Sequence, residues 1–212
     1  DRSAVYLRGK FYAARTDISL IASCVRNNLM LGVDLTRAIG GAGCWLEAAQ
    51  VFVGTFENSH SGTGDDYFRL SVGSDYSFGG STYGFVEYHF NQAGSNHAGD
   101  FRDNLSTAAY TEGSVYLLGQ HYLAPGVIYQ LTPLVSLTAQ ILVNLGDPSA
   151  LAAPAIEYNI AEDIYLAAGA YVGFGKSPKV SDTSEVSLSK VAFTSEFGTY
   201  PDTYFTSFRV YF

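Results

Sequence analysis

The chain closes on Tyr204, Phe205, Thr206, Ser207, Phe208, Arg209, Val210, Tyr211 and Phe212, and this run constrains the fold more than any other segment. Its apolar residues recur at every second position. A period of two belongs to an extended strand, in which successive side chains point to opposite faces. Tyr204, Thr206, Phe208, Val210 and Phe212 therefore share one face, and Phe205, Ser207, Arg209 and Tyr211 the other. One face suits apolar surroundings; the other carries a charge.

The same period returns along the chain in stretches bounded by Gly, Asn, Asp, Ser and Pro. Eleven strands are expected: Ala4 to Ala13, Ile18 to Arg26, Leu29 to Ala38, Cys44 to Val53, Tyr67 to Phe78 and Tyr83 to Asn91, then Val115 to Gln130, Leu134 to Asn144, Leu151 to Ile160, Ile164 to Phe174 and Thr203 to Phe212. Within Leu134 to Asn144, for example, Val135, Leu137, Ala139, Ile141 and Val143 oppose Ser136, Thr138, Gln140 and Asn144. No segment has a helical period. The connectors sort into two sets. Arg15-Thr16-Asp17, Gly40 to Gly43, Gly79-Gly80-Ser81, Thr132-Pro133 and Ala161-Glu162-Asp163 are short and have tight-turn chemistry. The alternate set holds three long polar segments, Gly54 to Asp66, Gln92 to Ser114 and Gly175 to Asp202, with short ones at Asn27-Asn28 and Gly146 to Ser149.

Charged residues make up 15% of the chain and hydrophobic ones 47%, against about 25% charged in an average soluble domain. Something other than charge must cover the surface. Tyrosine is abundant, 16 residues against one Trp, which suits a headgroup boundary where an apolar ring and a polar hydroxyl are both satisfied. The net charge of -8 excludes a nucleic-acid partner, which needs clustered Lys and Arg. No apolar run of about 18 residues occurs, so no transmembrane helix is expected; if the chain spans a membrane, it does so in strands. Asp1-Arg2-Ser3 lacks the basic and apolar segments of a signal peptide, which is expected in a precursor. Cys24 and Cys44 read as small apolar residues, with no metal or redox spacing.

The aromatic closing strand ending at Phe212 and the short/long sorting of connectors resemble those of bacterial outer-membrane β-barrels. The resemblance covers almost the whole chain but matches no particular porin subfamily, so no family site residue is carried over. It implies a transmembrane antiparallel up-and-down β-barrel as a single domain, 1–212. The short turns would be periplasmic, the long loops extracellular, and lipid and lipopolysaccharide the surroundings. The machinery that inserts such barrels would read Phe212. Such barrels have even strand numbers, so eleven strands imply the C-terminal part of a larger barrel, or completion by another chain or copy. The activity implied is passive diffusion of small solutes or ions, with an outer-membrane lipase-like enzyme and a loop-bearing anchor as rivals.

Face assignment directs Arg8, Lys10, Asp34, Glu47, Arg69, Asp75, Glu87, His89, Gln120, Gln140, Asn144, Glu157, Asn159 and Arg209 toward the interior, as the polar wall of a hydrated path. No catalytic residue is assigned: there is no Gly-x-Ser-x-Gly elbow, and His60, His89, His97 and His121 stand in no evident nucleophile pattern. Gly40 to Gly43 and Gly79-Gly80 read as turns, since no Lys-Ser or Lys-Thr follows them. The loop acids Glu57, Asp65, Asp66, Asp100, Asp103, Asp182 and Glu185 lack the spacing of a calcium site and read as solvated. No cofactor or metal is expected.

Overall fold

The computed structural model describes residues 4–56, 65–180 and 191–212. His60, Glu57, Asp182 and Glu185 lie outside the described residues. Eleven strands form one antiparallel meander in which every strand pairs with its sequence neighbours. They are β1 (Ala4–Ala13), β2 (Thr16–Val25), β3 (Asn28–Ile39), β4 (Ala42–Phe52), β5 (Tyr67–Ser77), β6 (Thr82–Asn91), β7 (His121–Thr132), β8 (Val135–Asn144), β9 (Ser149–Ala161), β10 (Ile164–Phe174) and β13 (Thr203–Val210). A separate ribbon of β11 (Lys179–Val180) and β12 (Val191–Ala192) lies in the connection before β13. The sheet is open. β1 and β13 are its two edges, and every residue of β1 is exposed.

The connectors sort by end, as the sequence predicts. Residues 14–15, 40–41, 78–81, 133–134 and 162–163 turn at one end; 26–27, 53–66, 92–120, 145–148 and 175–202 connect at the other. The first tight turn differs from the expected Arg15-Thr16-Asp17. Ala14 and Arg15 both take positive φ, 50° and 61°, the geometry of a two-residue hairpin turn whose twist matches the strands. Thr16 and Asp17 are thereby freed to join the ladder opposite Ala13 and Tyr12. Gly40 and Gly41 solve the same geometry with φ of 59° and 89°, at no steric cost.

Two further departures lie in the connection before β7. The strand expected from Val115 begins only at His121, because the backbone ahead of it is engaged outside a ladder of its own: Ser95 N–H, from the connection, donates to Leu118 O, and Asn91 N–H, at the end of β6, to Gln120 O. Gln92 to Ser114 contains no strand; it holds a 3-10 turn at Ala98–Asp100 and two single-turn helices, α1 (Phe101–Asn104) and α2 (Ala108–Thr111). Four-residue helices are too short to show a 3.6-residue period.

Register divides the sheet into two faces. One carries Leu20, Leu31, Val72, Val86, Ile141, Ile156, Leu166 and Phe208, all still exposed in the folded chain. Paired rows across it are mostly apolar, as in Ile156 against Leu137 and Ala168, while the row that joins Pro125, Val86, Ser74 and Cys44 ends on Arg37. The opposite face is polar. The hydrophobic core lies against that polar face at its long-connector end: Val51 and Tyr67 pack with Ala109 and Val115 of the 92–120 connection, flanked by Met30, Val53, Ala93 and Tyr110. No described helix is long and apolar enough to cross a membrane.

Candidate functional site

A single row of side chains can be followed across the polar face by register: Lys10, Ser19, Asp34, Glu47, Ser71, His89, Tyr122, Asn144 and Ser149. Adjacent rows hold Arg8 and Arg69 on the long-connector side, and Asp17, Trp45, Glu87, Asp75 and Gln140 on the other. Arg209 stands opposite Tyr165, which faces Asn159. Thus, of the residues expected on the inner face, Arg8, Lys10, Asp34, Glu47, Arg69, Asp75, Glu87, His89, Gln140, Asn144, Glu157, Asn159 and Arg209 share one face of the sheet. Gln120 does not: it precedes β7, and its Oε1 accepts Asn96 Nδ2 at 2.7 Å.

The charges on this face are partly paired. Arg8 Nη2 donates to Ser19 Oγ at 2.9 Å and reaches Asp34 Oδ2 at 3.4 Å. Arg209 pairs with Glu157. Both pairs are half exposed, so each stabilises by no more than about 1 kcal/mol. Arg69 Nη1 donates to Ser114 O at 3.2 Å, which ties β5 to the 92–120 connection. Trp45 covers Gly73 of the next strand, where a Cβ would overlap its indole, and its Nε1 donates to Glu87 Oε2 at 2.8 Å. Phe85 covers Gly126 and Phe205 covers Gly169 in the same manner. These aromatic rings hold the ladder where glycine would otherwise weaken it.

Ser71 Oγ and His89 Nδ1 are 2.9 Å apart on this face. A serine nucleophile also needs a group orienting the histidine's other nitrogen and unpaired donors for an oxyanion. Among the described residues, no hydrogen bond to His89 Nε2 is found, and Ser71 sits mid-strand with ladder partners on both sides. The pair lacks the rest of a catalytic constellation. No described cluster of His, Cys, Asp and Glu could hold a metal ion.

The most constrained polar group is one that the alternating pattern does not reveal. Glu196, from the 175–202 connection, is fully buried. Its Oε1 accepts Leu118 N–H at 2.8 Å; its Oε2 accepts Tyr122 O–H at 2.6 Å and Asn144 Nδ2 at 2.8 Å; and its own N–H donates to Asp147 Oδ2 at 2.6 Å. Burial pushes this carboxyl above its ordinary range, against the pull of the three donors. Tyr110, half-buried in α2, is pushed up to about 12 for the same reason. Phe197 is buried beside Glu196, its ring edge-on to Tyr122. Phe193 meets Phe101 of the other long connection. The described parts of the 92–120 and 175–202 connections thus meet over the polar face at one end of the sheet. Glu196 could not be found from the sequence, because it occupies a loop with no period and its partners are brought to it only by the fold. Asp17 was hidden by its assignment to a turn.

No family model, no curated protein and no solved structure matches this chain.

Proposed function

We propose that this chain forms the wall of an outer-membrane β-barrel channel that lets small hydrated solutes or ions diffuse along its polar face. The observation that carries the reading is that the charged side chains of the eleven strands, Arg37 excepted, gather on one face of the sheet, while exposed and mostly apolar side chains from Leu20 to Phe208 cover the other. An apolar surface of that extent is costly in water and expected in lipid. Edges in lipid must pair, so β1 and β13 would be completed in a closed ring. The end bearing the long connections would face outward, toward lipopolysaccharide, and the tight turns the periplasm.

Carboxylates outnumber cations on the polar face, with Asp17, Asp34, Glu47, Asp75, Glu87 and Glu157 against Arg8, Lys10, Arg69 and Arg209, so the path should favour cations. The test is conductance of the reconstituted protein in planar bilayers under a salt gradient. Arg8→Ala, which leaves Asp34 without its guanidinium, should move the reversal potential further toward cation selectivity; Glu47→Gln should move it back. A closed, inserted barrel with neither conductance nor solute flux would refute the channel.

The Ser71–His89 contact favours one second reading, an outer-membrane hydrolase. An ester substrate turned over by the wild-type protein and not by Ser71→Ala would establish it in place of the channel.

A further inference from the structure

We infer that residues 193–200 are a strap whose seating on the polar face, clasped by Glu196, narrows and gates the long-connector mouth of the path; this rests on the channel reading. The seat is built for this segment. Glu196 is held by Leu118, Tyr122 and Asn144, which come from the 92–120 connection, β7 and β8. Asp147, before β9, takes the Glu196 N–H, and Ser149 Oγ accepts Phe197 N–H at 3.3 Å. The strap is thereby tied to successive strands across the face. Room is made for it by glycines: a Cβ on Gly173 of β10 would run into Phe197 O, and one on Gly175 into the Ser195 hydroxyl.

The chemistry of the clasp is that of a latch. A loop needed only for stability is held most cheaply by apolar anchors, and Phe197 already supplies one. A buried carboxylate is tolerable only while every donor is in place, and losing one partner exposes the full desolvation cost of the remainder. Seating is therefore cooperative, with an all-or-none release. Release would uncover Tyr122, Asn144 and Ser149, which continue the polar row beyond His89, and so extend the hydrated wall to the mouth.

The experiment uses the full chain with Cys24 and Cys44 replaced by Ala and Ser195 replaced by Cys, reconstituted in lipid vesicles and in planar bilayers. Ser195 is 2% exposed, so a membrane-impermeant maleimide should label this cysteine slowly. Glu196→Gln keeps the size of the side chain but points an amide N–H₂ at a donor, and should speed labelling about tenfold or more while raising conductance. Tyr122→Phe removes one hydroxyl and keeps the ring; it gives the same readout with a smaller change if Glu196→Gln does not fold. Fast labelling with Glu196 intact, or labelling and conductance unchanged in Tyr122→Phe, overturns the strap. Faster labelling with no conductance in any variant keeps the strap as a moving cover and overturns the channel.

Discussion

Replacing Ile141 with Arg separates a sheet in lipid from a sheet in water. β8 runs Val135–Asn144, and Ile141 lies within two residues of its midpoint, about 7 Å along a strand rising about 3.4 Å per residue. With a tilt of about 40°, that is about 5 Å of depth, well inside an apolar band about 25 Å tall. An arginine there should cost about 2–4 kcal/mol. The Ile141 side chain is 41% exposed in the folded chain, so the same change on an open sheet in water should stay within about 0.5 kcal/mol. Gln140, the next residue, faces the polar side opposite Gly126 and Ala153, and Gln140→Arg should be nearly neutral in either setting. The assay is reversible urea unfolding of protein folded into lipid vesicles, with the two variants compared at one lipid composition. Equal losses at both positions, or a negligible loss at Ile141, would refute the assignment of the apolar face to lipid.

Gly73→Ala should displace the indole of Trp45 and cost about 1–3 kcal/mol through overpacking; because the chain has one Trp, a shift in tryptophan emission reports the displacement directly. Burial raises the seated Glu196 carboxyl above its ordinary value of 4.5, so the seated strap binds a proton more readily than the released one. Seating is favoured below 4.5 and loses that share as pH rises through the higher seated value. Asp147 and the hydroxyls of Tyr122, Tyr110 and Tyr200 are the titratable groups around it; the labelling rate of a cysteine at Ser195, divided by that of a fully exposed cysteine to remove the thiol's own titration, should rise with pH, and a flat ratio would count against the shift. Protease added to intact cells should cut in 92–120 and 175–202 and spare 40–41 and 162–163; cleavage confined to the tight turns would invert the orientation.

Sequence alone settled what depends on local period and turn chemistry. Alternation placed eleven strands, in two cases, Ala4–Ala13 and Ile164–Phe174, with the bounds found in the structure. It also assigned Ile141 and Gln140 to opposite faces and sorted the connectors by length, because each of these is decided by neighbours along the chain. Where the chain leaves that period, only the tertiary structure decides. Val115 to Gln120 reads as strand in isolation, yet its backbone is taken by Asn91, Ser95 and Glu196. Glu196 gains its meaning from Leu118, Tyr122, Asn144 and Asp147, residues far from it in sequence. A strand's faces follow from the geometry of consecutive residues, whereas a buried carboxylate persists only where separate elements converge to supply its donors, and that convergence is a property of the folded chain.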